Sequence, residues 1–149
     1  MKIELPCLEQ EQGHTCVPAC IRIVLHYLGA DFSENEISVA CKTTPRGTDQ
    51  DDAAEGIVSL GFNAIKLEAI TFEGITRFIR QNQPVIVLLS VKHLPYGSQM
   101  GMHAVVVNGF STNTVSFIDP ARGEEIEITM DTFLQAWDER GRLGLVIEV

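Results

Sequence analysis

No run of this sequence is long and apolar enough to span a bilayer. The opening stretch MKIELPCLEQEQGH has neither the apolar segment nor the small-residue cleavage site of a secretion signal. The protein is therefore expected to work in the cytoplasm, with no membrane segment. Basic residues are scarce: 11 Lys and Arg against 20 Asp and Glu leave a net charge of -9. Nucleic acid needs a concentrated positive surface, so it is excluded as a partner. Cysteine is sparse as well. Cys7, Cys16, Cys20 and Cys41 lie in a chain of 149 residues without secretory context and are read as reduced thiols, since a core of this size needs no disulfides. Cys16, Cys20 and the nearby His14 have no second ligand pair at matching spacing, which weighs against zinc. No metal or cofactor is expected. Repeats, low-complexity segments and linkers are missing too, so residues 1–149 are expected to form one domain.

What is present is organised around Gln10 to Gly29, QEQGHTCVPACIRIVLHYLG. Ala19, Ile23 and Tyr27, with Cys20, Val24 and Leu28, recur at three- and four-residue intervals and predict an amphipathic helix that Gly29 stops. Pro18 suits a first helical turn, where amide protons have no partner inside the helix. Cys16 thus sits at the helix start, where outward amides and the helix dipole stabilise a thiolate. An equally ordinary reading makes it a small buried residue.

Ser33 with Glu36 forms a capping box for a helix over Glu34 to Lys42; Thr43 to Gln50 reads as a loop; Asp51 to Leu60 reads as a third helix. Beyond it the period changes. Phe62 to Ala69 alternates as a strand, Phe72 to Gln81 is an amphipathic helix, and Val85 to Val91 is a nearly continuous apolar strand. Lys92 to Met102 is a loop whose Gly97 and Gly101 suggest mobility. HAVVVNGF and TVSFID are central strands, followed by strands over Glu124 to Ile128 and Leu143 to Val149, with a short helix at Phe133 to Trp137 between them. Helices first and hairpin-linked strands afterwards indicate an α+β fold, with N-terminal helices packed on a mainly antiparallel β-sheet.

His103 opens one strand of a hairpin and Asp119 closes the next, so both fall at the same sheet edge. A simple hairpin offsets them by about three residues, roughly 10 Å, which a bulge would shorten. A thiol at a helix start, an imidazole and a carboxylate are the parts of an activated cysteine nucleophile. Gln10, six residues before Cys16, is a candidate oxyanion donor alongside the Cys16 backbone amide, and is favoured over Gln12 by its spacing. Each also has a plain reading: His103 as a strand-end histidine, Asp119 as a turn residue before Pro120, Gln10 as a surface amide. His14 and His26 are read as surface or packing residues, Trp137 as core, and Cys7, Cys20 and Cys41 as structural.

Gln10-x5-Cys16-x-Pro-Ala-Cys with a helix ending Tyr-x-Gly, then His103-Ala-Val-Val-Val, Ile118-Asp119-Pro120 and Phe133-Leu-x-x-Trp137, together resemble the bacteriocin-processing peptidases. These are papain-like domains, often fused to peptide-exporting transporters, that cleave leader peptides after a double glycine. The resemblance covers nearly the whole chain. It implies Cys16 as nucleophile, His103 as base, Asp119 as orienting acid and Gln10 as oxyanion donor. Thr15 and Val17 stand where the family usually has Asp and Gly. The expected function is a free-standing papain-like cysteine peptidase (hydrolase) acting on a glycine-containing peptide or protein substrate through a thioester. Association with a separate transporter stays open. The alternatives are a catalytically silent peptide-binding module, or an acyltransferase or deamidase using the same nucleophile.

Overall fold

The computed structural model describes residues 1–97 and 101–149. Helix α1 (Cys16–Tyr27) starts at the cysteine and carries Pro18 in its first turn, and Gly29 leaves it at φ 90°. Helix α2 (Glu34–Ala40) has the predicted capping box: the Ser33 hydroxyl accepts from the Glu36 amide, while the Glu36 carboxylate accepts from the Ser33 amide. Helix α3 (Gln50–Ser59) follows Asp49, and Gly61 turns the chain away at φ 100°.

The sheet then forms from β1 (Asn63–Leu67), β2 (Val85–Ser90), β3 (Met102–Phe110), β4 (Thr114–Asp119), β5 (Glu124–Thr129) and β6 (Gly144–Glu148). Helix α4 (Phe72–Arg80) separates β1 from β2, and α5 (Met130–Asp138) separates β5 from β6. The strand order is β1-β6-β2-β3-β4-β5, every neighbouring pair antiparallel. Expected and observed elements agree in type and differ by a few residues at their ends, where helices fray and ladders stop. The loop expected from Lys92 opens instead with a 3-10 turn, Val91–His93, and its residues 98–100 lie outside the described part.

Two hydrophobic clusters explain the arrangement. On one face of the sheet Ile21, Ile23, Val24 and Leu25 of α1, Ile37 of α2 and Ile57 of α3 pack against Val106, Ile118 and Leu145. On the other, Ile75 and Ile79 of α4 with Phe133 and Trp137 of α5 pack against Val87, Val105, Phe117 and Val146. Residues 85–89 and 104–107 therefore read as unbroken apolar runs because both of their faces are covered. The Trp137 indole donates to the Leu143 carbonyl at 3.0 Å, which satisfies the one polar atom of the largest core side chain.

One irregularity sets the geometry of the site. Val107 faces Phe117 but Gly109 faces Ser116, so Asn108 is an extra residue in β3. Its amide nitrogen donates to the Ile3 carbonyl at 2.9 Å and to Glu125 at 2.8 Å, and its carbonyl accepts from the Ile3 amide at 2.7 Å. Beside it only glycine fits: a Cβ on Gly109 would stand 2.8 Å from the Met1 carbonyl oxygen. Continuing the Val106 to Ile118 register puts Asp119 opposite Val105, two residues from His103. The offset is even, so the two side chains emerge on the same side of the sheet.

Candidate active site

Three elements converge at one end of the sheet. The start of α1 delivers Cys16, the start of β3 delivers His103 and the end of β4 delivers Asp119. The His103 Nε2 and Asp119 Oδ1 atoms are 2.5 Å apart, with the carboxylate 1% and the imidazole 13% exposed. With Nε2 engaged, Nδ1 is the ring nitrogen left for the Cys16 thiol, against which the imidazole lies.

The electrostatics follow from these contacts. Burial pushes the Cys16 thiol up, but His103 and the backbone amides of Ala104 and Val17 outweigh it and leave the pKa below its ordinary value. Burial alone would lower His103, yet the Asp119 carboxylate and the Cys16 sulfur hold it at about 9. Both shifts favour one charge state, thiolate beside imidazolium. Burial likewise opposes the charged form of Asp119, and hydrogen bonds from His103, Tyr96 and the Ala121 amide keep its pKa depressed. The contrast along α1 is instructive: Cys20, one helical turn on, is wholly buried and its thiol is pushed well above the ordinary value, as burial also pushes Cys41 to about 11.

The structure thus brings Cys16, His103 and Asp119 together. Gln10 is tied in through its backbone, whose amide donates to the Pro120 carbonyl at 2.8 Å, beside Asp119. Its side-chain Nε2 donates to the Gln12 carbonyl at 2.7 Å, and its Oε1 is buried without a partner. That amide nitrogen keeps a second hydrogen. Gln12 lines a cavity with His14, Thr15, Glu34 and Asn35.

A cavity of about 190 Å³ lies over Cys16, walled by His14, Val17, Leu88 and the turn Pro45 to Thr48. It shares Val17, Thr48 and Leu88 with a narrow apolar slot of about 30 Å³ whose floor is Ala53, Ile86 and Leu145. The expected loop Thr43 to Gln50 therefore does border the groove. On the other side of His103, a cavity of about 410 Å³ is lined by Leu94, Tyr96, Met102 and Arg122, so the described part of the second loop borders the site as well. Gly97 serves close packing there: a Cβ would fall 2.0 Å from the Val91 carbonyl oxygen. Among the described residues no group of three His, Cys, Asp or Glu side chains is placed to hold a metal ion.

Two residues of the site's surroundings escaped sequence reasoning. Tyr96 donates its hydroxyl to Asp119 Oδ2 at 2.7 Å. Glu34, 2% exposed, accepts the Glu11 amide on both carboxylate oxygens and so anchors the segment that leads into α1. Neither carries a signal in the chain: Tyr96 stands in a Pro-Tyr-Gly turn, and Glu34 looks like any acid in a first helical turn.

The sequence signature of the Peptidase C39 like family matches residues 2–145. The chain belongs to that family. No curated protein matches this C39-like chain. Solved structures share its fold at low identity. A Bacillus anthracis protein described as a C39-like peptidase superposes with a TM-score of 0.82 at 15% identity, covering 100% of this chain and 98% of that one. The peptidase domain of Streptococcus ComA, a bifunctional ABC transporter involved in a quorum-sensing pathway, gives 0.77 at 22% identity, covering 97% of each. A double glycine motif protease from an AMS/PCAT transporter, solved with its leader peptide, gives 0.76 at 21% identity, covering 99% of this chain and 93% of that one. Among the described residues the chain has five α-helices on a six-stranded antiparallel sheet, as the sequence led one to expect. Among the described residues no helix is long and apolar enough to cross a membrane.

Proposed function

We propose that residues 1–149 form one papain-like domain that suffices for peptide-bond hydrolysis through a thioester on Cys16. The observation that carries the reading is the alignment of Cys16, His103 and Asp119, with opposite pKa shifts on the thiol and the imidazole. In the ion-paired state the Cys16 thiolate attacks the scissile carbonyl carbon, and its electron pair forms the C–S bond. The Cys16 backbone amide and a Gln10 side-chain N–H hold the oxyanion that develops. His103 then gives its proton to the leaving amine as the C–N bond breaks. Water, deprotonated by the same imidazole, attacks the thioester and releases the acid and the thiol. Asp119 keeps the imidazole in the right tautomer throughout.

The substrate class comes from kinship. A relative of the same fold was solved with a leader peptide, and we assign to this chain a peptide whose scissile bond follows a double glycine. The groove supports an extended peptide, because the cavity over Cys16 continues past Val17 into the apolar slot. Val17, where the family usually has glycine, is 9% exposed and packs into the core, and it also walls the cavity over Cys16, so its branches narrow the space beside the sulfur.

The test is hydrolysis of a synthetic peptide bearing Gly-Gly before a fluorogenic amide, by wild type and Cys16→Ala. The variant removes only sulfur from a helix start, so it should fold and lose turnover by on the order of a thousandfold or more. Retained hydrolysis in Cys16→Ala would overturn the reading.

A further inference from the structure

The carboxylate that aims His103 is itself held by something. Asp119 Oδ1 accepts two hydrogen bonds, from His103 at 2.5 Å and from the Ala121 amide at 2.9 Å. Oδ2 accepts from Tyr96 at 2.7 Å, its one hydrogen-bond partner among the described residues. The carboxylate is 1% exposed, so with Tyr96 in place that oxygen is satisfied by the hydroxyl and not by bulk water. Tyr96 in turn is clamped, since the Arg122 guanidinium lies 5.0 Å from the centre of its ring. A carboxylate with only one oxygen fixed can swing about its Cβ–Cγ bond and carry the imidazole with it.

We infer that Tyr96 is a positioning residue, whose hydroxyl locks the plane of the Asp119 carboxylate and thereby aims His103 at Cys16. The inference rests on the peptidase reading above and adds to it a fifth side chain, brought in from the segment between β2 and β3. The titratable and charged groups facing Asp119 are His103 from β3, Cys16 and Cys20 from α1, Tyr96, and Arg122 from the turn after β4. Burial and the neighbouring carboxylate both push the Tyr96 phenol up, so it stays a neutral donor over the working range. Without it, Asp119 loses a donor to its charged form and holds the imidazolium in a looser geometry. Both effects move the acid limb of Cys16 reactivity to higher pH.

The experiment is alkylation of Cys16 by iodoacetamide from pH 5 to 9.5, followed by mass spectrometry of separated peptides, in wild type and Tyr96→Phe. The exposed Cys7 serves as reference in the same digest. Phe keeps the ring on Arg122 and removes one oxygen, and thermal unfolding checks that the fold is retained. The expected result is a Cys16 rate about tenfold lower at pH 5.5, from the loss of a hydrogen bond to a charged group, converging on wild type at pH 9.5 where the sulfur is ionised in both. A merely structural role would shift the rate equally at every pH. An unchanged or uniformly displaced curve, with a wild-type thiol reactive well below its ordinary pKa, would overturn the role of Tyr96 and leave the peptidase reading standing. A wild-type Cys16 that titrates like Cys7 would overturn both.

Discussion

Among the described residues there are two histidine–carboxylate pairs of nearly equal length. His103 and Asp119 meet at 2.5 Å, His93 and Glu139 at 2.7 Å. The first pair is 13% and 1% exposed and faces a thiol; the second is 28% and 38% exposed and shares its carboxylate with Lys92. Distance therefore does not distinguish them. In the buried pair each partner has given up water and has no substitute for the other, so the geometry is fixed and its charge state is passed to Cys16. In the exposed pair water and Lys92 replace whatever is lost, and salt screens the rest. Glu139 illustrates why a shifted pKa alone marks no site: hydrogen bonds from His93, Ser90 and Lys92 take its pKa to about 2, yet no thiol is among those neighbours.

Three perturbations sharpen this contrast. The largest effect is expected from Asp119→Asn, which preserves shape but favours the wrong tautomer of His103. Turnover of the Gly-Gly peptide should fall by about 10² to 10⁴-fold, with alkylation of Cys16 at pH 6 falling in parallel. Wild-type turnover in Asp119→Asn would remove the carboxylate from the mechanism.

An intermediate effect is expected on stability. His103 is raised to about 9 in the folded chain. Its contribution is fully present below the unfolded value near 6.5 and disappears as pH rises through about 9. The Cys16 thiol, with a lowered pKa, works in the opposite sense over the same interval, so the measurement belongs in Cys16→Ala. There the part of the raised pKa that the sulfur supplies is gone, so the urea midpoint should fall as pH rises above 6.5 and level off below pH 9, by less than about 3 kcal/mol, and a second change, His103→Gln, should abolish the fall. A flat profile in Cys16→Ala would show that Asp119 does not hold the imidazolium.

The smallest effect is expected from Glu139→Gln, which breaks the exposed pair. Neither the urea midpoint at pH 7 nor the pH profile of Cys16 alkylation should move beyond error. A shift in the alkylation profile would mean that the second pair reaches the site.

How far the chain announced all this depends on the kind of signal. The helix starting at Cys16, the Ser33 capping box and the strand runs around Val87 and Val106 are local patterns, and each formed where its pattern placed it. The candidate triad was legible because its members sit at element ends and in a familiar order. The offset of His103 and Asp119 was only half legible: a simple hairpin gives about three residues, and the step to two is made by Asn108, whose partners Ile3 and Glu125 lie 105 and 17 positions away. Tyr96 and Glu34 were invisible for the same reason, since their importance comes from a neighbour brought close by folding. Gly97 has a packing reason that the sequence could not show, since the Val91 carbonyl leaves no room for a Cβ there.

The extra residue in β3 bears on which molecules in a preparation can work at all. Val105, Val106 and Val107 are fully buried on both faces of the strand, so sliding this hairpin by one position exchanges valine for valine and meets little hydrophobic resistance. In the slipped pairing, with Asn108 ironed into the ladder, Asp119 would stand opposite Val106 and point away from His103. Such a conformer would have the same strands and nearly the same core, and it would be chemically dead. What marks the observed pairing is a polar pin, the hydrogen bonds of Asn108 to Ile3 and Glu125, beside the alternation of apolar residues that usually fixes a strand.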